Sequence, residues 1–364
     1  MSLFSLLINN VRYTSSDILL WNGLYEDHYT KEVLRLCKQW LSEEETFIMQ
    51  TSGSTGAPKR IEIKRSQIEA SALASLIFFQ LKQGDNVLCP LNIEVVGGKM
   101  MLFRSMIGGL QLQVIQPDRA LTDMPDHSTY DFMPVTAIQL YEVLKYHPDK
   151  VRVLNKLKHL LIGGGAVQKE LMELIHEKLS CTVWQSYGMT ETVSHIAIRS
   201  LHPKEEDVYT VLPNILIDID ERACLKIKGT VTNNDWVQTN DRVELLDETH
   251  FMFIGRADFV INSGGIKIQV EELEKNIEDI FIEHNIQIPF FIGGINDIEY
   301  GEKVVLILNN GTFTPKETTD LLAILKERLP KYHAPKSIFF STFSYTSSGK
   351  IDRKKTIGSI VFSD

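Results

Sequence analysis

Cysteine is scarce, with four residues in 364, at Cys37, Cys89, Cys181 and Cys224, and no C-x-x-C pair among them. That spacing argues against a disulfide framework or a paired-thiolate zinc site and suits reduced, buried thiols of a cytoplasmic protein. Long apolar runs are missing too. No stretch approaches the ~18 residues that span a bilayer. The apolar start from Met1 to Ile8 lacks a basic flank and a cleavage site, so neither membrane insertion nor a signal peptide is expected. Positive charge is in deficit, 38 Lys and Arg against 47 Asp and Glu, for a net charge of -9. No general nucleic-acid or anionic-membrane surface is expected from that balance, and an anionic substrate must be held by local basic groups. Internal repeats and long low-complexity linkers are absent. What remains, 43% hydrophobic and 23% charged residues, is the make-up of an ordinary globular protein long enough for two domains.

Strand-like and helix-like segments alternate from about Phe47 onward. Ser66-Gln67-Ile68-Glu69 reads as a capping box opening a helix to about Lys82. Asn86 to Cys89 reads as a buried strand, 98–107 as a helix, 110–115 as extended and 134–147 as a helix. A strand over His159 to Ile162 ends at Gly163-Gly164-Gly165, a helix follows over 168–179, and a strand over Cys181 to Gln185 delivers Tyr187 at its carboxyl end. Such alternation predicts parallel sheet with ligand sites at strand carboxyl ends. From about Ile215 to Ile254 the helices vanish, and short apolar runs between turns predict a small antiparallel or barrel-like section. Beyond Asp258 the pattern is a compact mixed unit, with helices over 270–281 and 315–329 and strands near 288–295, 303–308 and 338–341. The expected fold class is α/β. It has a large N-terminal domain of sheets flanked by helices plus the barrel-like section, over 1–257, and a small mobile α+β C-terminal domain over 258–364.

The densest chemistry lies in Thr51-Ser52-Gly53-Ser54-Thr55-Gly56-Ala57-Pro58-Lys59, between strand-like Phe47-Ile48-Met49 and Ile61-Glu62-Ile63. Glycines free the backbone to converge N–H groups on one anion, hydroxyls add donors, and Lys59 adds a charge for phosphate. A polar linker is the competing reading, opposed by the lysine and the flanking strands. The spacing is not that of the mononucleotide loop G-x-x-x-x-G-K-[ST].

This stretch resembles the phosphate-binding signature of the adenylate-forming superfamily of acyl-CoA synthetases, luciferases and peptide-synthetase adenylation domains. Four further segments resemble that superfamily's motifs in order: Tyr187-Gly188-Met189-Thr190-Glu191-Thr192, Thr239-Asn240-Asp241, Gly255-Arg256-Ala257-Asp258 with Ser263-Gly264-Gly265-Ile266-Lys267, and Thr346-Ser347-Ser348-Gly349-Lys350. The resemblance implies ATP, Mg²⁺ and CoA as partners. Thr51, Ser52, Gly53, Ser54, Thr55, Gly56 and Lys59 would hold the β- and γ-phosphates, Thr190 would reach a phosphate oxygen, and Glu191 would ligate Mg²⁺. Tyr187 and Gly188 would meet the nucleotide, with Gly163, Gly164, Gly165 and Ala166 on its other side. Asp241 and Arg256 would hold the ribose, and Asn240 replaces the usual glycine beside Asp241. Lys350 would be the catalytic lysine. Asp258 would be the hinge that swaps Lys350 for the thioester-step loop of Ser263, Gly264, Gly265 and Lys267. Only about fifty residues precede the phosphate loop, so the first sheet layer of a full-length member is expected to be reduced or missing.

Pro90 to Arg104 is similar to the acid-pocket segment of 2-succinylbenzoate–CoA ligases of menaquinone biosynthesis, with Asn92-Ile93 replacing an aromatic or His. Gly97, Lys99 and Arg104 are its acid-binding candidates. Surface charges on an amphipathic helix are the bland alternative for the two basic residues. The expected function is an ATP-dependent acid–CoA ligase acting on 2-succinylbenzoate. The alternatives are another aryl or medium-chain acid, or adenylation for a carrier protein. A non-catalytic relative would be expected to have lost Lys350 or Glu191, and both are present. A homodimer is a further expectation from the resemblance.

Overall fold

A computed structural model describes residues 4–24, 26–50, 60–126, 128–163, 165, 167–257, 259–297, 300–310, 313–345 and 351–360. The chain opens with strands β1 (Ser5–Ile8) and β2 (Val11–Thr14) and helices α1 (Ser15–Leu20) and α2 (His28–Leu41). Asp27 caps α2 by accepting from the Thr30 N–H at 3.1 Å, which satisfies one of the orphan donors of a helix start. Strands β3 (Thr46–Gln50) and β4 (Arg60–Lys64) pair antiparallel as a separate two-stranded sheet. The expected phosphate loop between them, 51–59, lies outside the described residues.

Alternation follows as α3 (Arg65–Phe78), β5 (Asn86–Cys89), α4 (Val96–Gly108), β6 (Gln111–Val114), β7 (Phe132–Thr136), α5 (Ala137–Tyr146), α6 (Pro148–Leu154), β8 (His159–Gly163), α7 (Lys169–Lys178) and β9 (Thr182–Gly188). Strands β1, β6, β5, β7, β8 and β9 lie side by side in that order, all parallel. Parallel strands covered on both faces must be apolar on both, and the burial shows it. Leu161 faces one core with α2, α3 and α4, while Leu160 and Ile162 face a second core with α5 and α7.

The sheet then turns antiparallel through β10 (His195–His202), β11 (Val208–Val211), β12 (Ile215–Ile219), β13 (Cys224–Gly229), β14 (Val237–Leu245) and β15 (His250–Arg256). The helix-free section foreseen from 215 to 254 is therefore an extension of the same sheet, thirteen strands in all. A second sheet carries β16 (Val260–Ser263), β17 (Ile266–Gln269), β18 (Phe290–Asp297), β19 (Gly301–Asn309) and β20 (Ser337–Ser341), with α8 (Val270–Glu283), α9 (Pro315–Arg328) and α10 (Arg353–Gly358) around it. Period-two alternation splits β19 between two cores. Val304, Leu306 and Leu308 pack with α8 and α9, and Val305 and Ile307 pack with Phe291 and Phe343.

Three local expectations shift. The α3 capping box is two residues earlier than Ser66: the Lys64 N–H donates to Gln67 Oε1 at 3.0 Å, and Glu69 pairs with Arg65 at 3.1 Å instead. Residues 134–136 finish β7, because Phe132 to Val135 are buried between both layers and helical periodicity begins only at Ala137. Thr136 makes that boundary, its Oγ1 accepting from the Gln139 N–H at 3.1 Å. Tyr187 and Gly188 lie inside β9, which runs to Gly188 because β10 pairs with it antiparallel as far as His195 opposite Gly188.

Candidate active site

The end of the parallel half, where β9 hands over to antiparallel β10, gathers the nucleotide-motif candidates that lie among the described residues. Gly188 sits where a Cβ would lie 2.3 Å from the Ser194 carbonyl oxygen, so only glycine allows the strand to fold back so closely. The intervening turn carries a 3₁₀ segment over Thr190–Thr192 and a buried Val193 at φ 66°. A β-branched residue in the left-handed region is strained, and the Thr192 hydroxyl holds the turn by donating to the Ser194 carbonyl at 2.8 Å. The same turn leaves Glu191 exposed and Thr190 half-buried.

The Tyr187 hydroxyl donates to Asp241 Oδ2 at 2.6 Å, and Arg256 Nη1 donates to Asp241 Oδ1 at 3.1 Å. Asp241 and Arg256 face each other in register across β14 and β15, which is why residues fifteen apart in sequence meet. Burial, then the Asp241 carboxylate, push the Tyr187 phenol well above its ordinary range, so it stays a hydrogen-bond donor. Phe251 and Tyr209 hold the Tyr187 ring edge-on, at 5.3 and 5.8 Å between centroids. Asn240 lies within β14 and outside the positive-φ residues, so its place beside Asp241 requires no left-handed conformation. Across from Tyr187, Ser186 Oγ donates to the Ile162 carbonyl at 3.1 Å, and the Gln185 amide donates to the Gly165 carbonyl at 3.0 Å. These bonds tie Ile162, near the end of β8, and Gly165 beyond it to β9. Gly164 and Ala166 lie outside the described residues.

The acid-pocket candidates occupy α4. A Cβ on Gly98 would lie 2.2 Å from the Asn92 carbonyl oxygen, so this glycine lets the helix press against the 92–93 backbone, while Gly97 is exposed one residue earlier. Lys99 reaches away, donating to the Ile48 carbonyl on β3 at 2.8 Å, and burial lowers its pKa. Arg104 points inward and is only 3% exposed. Its Nη2 donates to Ser75 Oγ at 3.2 Å and Nη1 faces Met101 Sδ at 3.3 Å, while Nε is buried without a partner. The guanidinium lies 5.6 Å from the Phe132 ring centroid. No carboxylate pairs with it among the described residues, and burial drives its pKa down to about 10. The surface-charge alternative thus fails for Arg104.

The segment after β15 carries the remaining motifs. Gly264 and Gly265, at φ 59° and 82°, make the β16–β17 turn. Ser263 and Gly264 line a cavity of about 290 Å³ with Ile266, Tyr300, Tyr332 and Lys336. The Arg256 N–H donates to Glu271 Oε1 at 3.1 Å, and the Gln269 amide donates to the Arg256 carbonyl at 2.8 Å, so α8 grips the last strand of the large sheet. Asp258 and Lys350 lie outside the described residues. Among those described, no group of three or more His, Cys, Asp or Glu could hold a metal ion, and no helix is long and apolar enough to cross a membrane. Motif reading missed Ser75 and His195 beside Arg104, and Gln269 and Glu271 beside Arg256. None belongs to a spaced motif; the Ser71 and Ser75 pair at helical spacing is the one signal, and it is weak.

Residues 13–228 match the AMP-binding enzyme family. The chain belongs to that family. As a member it is, at the level of class, an adenylate-forming acid–CoA ligase. It is 28% identical over 350 residues to a 2-succinylbenzoate–CoA ligase of Listeria monocytogenes, spanning 88% of this chain and 71% of that protein. It is 25% identical over 386 residues to the protein of the same name from Bacillus cereus, spanning 96% and 77%. Among solved structures, an acyl-CoA synthetase (AMP-forming)/AMP-acid ligase II-like protein from Dyadobacter fermentans aligns over 95% of this chain and 98% of its own, at 36% identity and a TM-score of 0.64. The O-succinylbenzoate coenzyme A synthetase of Bacillus subtilis, solved with ATP and magnesium, shares the fold at a TM-score of 0.72 and 24% identity, over 85% and 69% of the two chains.

Proposed function

We propose that this family member is a 2-succinylbenzoate–CoA ligase of menaquinone biosynthesis, taking the diacid, ATP and CoA to the acyl-CoA thioester, AMP and pyrophosphate in the cytoplasm. One observation carries the choice of acid: Arg104 is a buried cation with no carboxylate beside it among the described residues. A buried charge left unpaired is costly, so a carboxylate brought by the substrate is its natural counter-ion. A monocarboxylic acid commits its single charge to the α-phosphate and leaves Arg104 unmatched. A diacid serves both places. The curated relatives at 25–28% identity carry the name of the same ligase.

The first step joins a carboxylate oxygen to the α-phosphorus of ATP as the bond to pyrophosphate breaks. Two anions must meet, so neutralisation and alignment supply most of the rate. In this reading Thr51, Ser52, Gly53, Ser54, Thr55, Gly56 and Lys59 hold the β- and γ-phosphates, and Thr190 donates to a phosphate oxygen. Tyr187 flanks the adenine, and Asp241 and Arg256, already joined to each other, hold the ribose. Glu191 presents carboxylate oxygens from a fixed turn, a donor that fits Mg²⁺, which takes one or two carboxylates and completes its shell with phosphates. An ion held by Glu191 would supply charge neutralisation to the phosphates. Lys350 bridges the reacting carboxylate and the α-phosphate. The unit beyond Asp258 then pivots, withdrawing Lys350 and bringing in Ser263, Gly264, Gly265 and Lys267 for attack of the CoA sulfur on the acyl carbon, with AMP leaving.

The test is AMP release across a panel of aryl and aliphatic acids, with and without CoA. We expect 2-succinylbenzoate to be favoured by kcat/KM, and Arg104→Met to lower that value by about 100-fold, the effect of a charge-assisted pair lost in a dry site. Preference for another acid would end the substrate assignment and leave the ligase class standing.

A further inference from the structure

The contacts of Arg104 continue beyond the guanidinium into a chain of buried polar groups. Ser75, on α3, is fully buried, and its Oγ lies 3.2 Å from Arg104 Nη2, 3.2 Å from the Ser71 carbonyl oxygen and 2.8 Å from His195 Nε2. Serine has one proton to give and two lone pairs to receive. The guanidinium can only donate and the carbonyl can only accept, and the hydroxyl is directed at the Ser71 carbonyl. One lone pair takes Arg104, and the other takes an N–H from His195. With the hydroxyl proton given to Ser71, the ring is the tautomer protonated at Nε2. One turn earlier on α3, Ser71 Oγ lies 2.6 Å from Ser194 Oγ, so α3 is joined to the start of β10 at two successive rungs.

His195 is itself buried and, at the start of β10, sits opposite Gly188 of β9, the strand that carries the Tyr187 motif. Its surroundings keep it neutral: burial, then Arg104, push the ring down to about 3. A charged ring would place a second cation beside the guanidinium. As folded, Arg104 is the one charged member of this buried cluster, and its Nε has no partner among the described residues.

We infer that Ser75 and His195 form a positioning pair that aims Arg104 at a second carboxylate of the acid and so determines the preference for diacids over monoacids. The inference rests on the reading of Arg104 given under Proposed function and adds two residues that none of the sequence motifs contains. Ser75 supplies the only oxygen hydrogen-bonded to the guanidinium among the described residues. Removing that oxygen, or the N–H that orients it, frees the guanidinium to swing without touching the nucleotide site.

The experiment compares 2-succinylbenzoate with 4-oxo-4-phenylbutanoate, the same skeleton without the ring carboxylate, using the full chain with ATP and CoA. Ser75→Ala and His195→Leu are each expected to lower kcat/KM for the diacid by about tenfold, the effect of one charged hydrogen bond, through KM rather than kcat. The monoacid and the KM for ATP should be unmoved in both variants. His195→Gln, whose amide keeps an N–H near the Nε2 position, should recover most of the loss. A purely structural role would damage both acids alike, so equal losses overturn the inference, as does an unchanged diacid preference. Wild-type enzyme that favours the monoacid would instead defeat the reading of Arg104, and the positioning role with it.

Discussion

At the scale of single residues, His195 makes a prediction independent of catalysis. Its folded value of about 3 lies below the ~6.5 of an unfolded histidine. Between those values the unfolded chain binds the extra proton, so stability rises with pH there. The contribution is fully present above about 6.5 and is lost as pH falls toward 3. At pH 5 the loss relative to pH 7.5 is about 2 kcal/mol from this group. Urea unfolding at the two pH values should show that loss in the wild type and a smaller one in His195→Gln; identical acid sensitivity would reject it. The chain alone nominates Tyr187, Asp241, Arg256 and Glu191 as candidates, because each stands in a spaced motif. It does not reveal Ser75 or His195, whose meaning comes from the 2.8 Å contact between α3 and β10.

Elements were legible where two signals agreed. β19 and α9 stand close to where periodicity puts them, α9 opening with Pro315 at its first turn and Thr314 as cap, whose Oγ1 accepts from the Glu317 N–H at 3.2 Å. α1, α2 and α6 escaped, being short or lying ahead of the recognisable alternation, and the β7–α5 border blurred because Val135 suits a helix face as well as a buried strand. One element contact carries a prediction. Arg353, at the start of α10, meets Glu274 of α8 with both forks, at 2.8 and 2.9 Å, and Glu274 Oε1 also accepts from the Ile292 N–H of β18 at 2.6 Å. Burial, opposed by Arg353, raises the Glu274 pKa. Arg353→Ala strands that carboxylate and should destabilise the chain by about 3 kcal/mol. Lys350 lies three residues before α10, so pyrophosphate release should fall more than thioester formation from supplied acyl-adenylate. Denaturant titration and the two half-reactions check both parts, and equal losses in the half-reactions would remove the link to Lys350.

For the whole molecule, the question is how two sheets share one reaction. Among the described residues, the second sheet's unit is hydrogen-bonded to the first through Gln269 and Glu271 at Arg256, through Gln269 Oε1, which accepts from Arg242 Nη1 at 3.2 Å, and through Lys169, whose Nζ lies 2.8 Å from Asp279 on α8 and whose N–H donates to Glu278 at 3.3 Å. These contacts are polar, the kind that a pivot can break and replace. On the proposed mechanism, Lys350→Ala should abolish pyrophosphate release while sparing thioester formation from acyl-adenylate. Asp258→Pro should do the reverse, slowing the second step more than the first. The two half-reactions measured separately decide it: parallel losses in the first variant would dismiss Lys350 as the adenylation lysine, and an unaffected second step in the other would dismiss Asp258 as the pivot.

The one-dimensional pattern was enough for the family, which the match over residues 13–228 shows, and for the alternation of strand and helix; it also named the nucleotide-motif candidates and a separate unit beyond Asp258. Those depend on local spacing, and local spacing survives in one dimension. Only the tertiary structure decided that the antiparallel section continues the parallel sheet, that Asp241 joins Tyr187 to Arg256, and that of two basic residues on α4 one is buried and the other braces β3. Burial and pairing across strands depend on residues far apart along the chain, and the lone charge at Arg104 can be recognised only once its described neighbours are seen to lack a carboxylate.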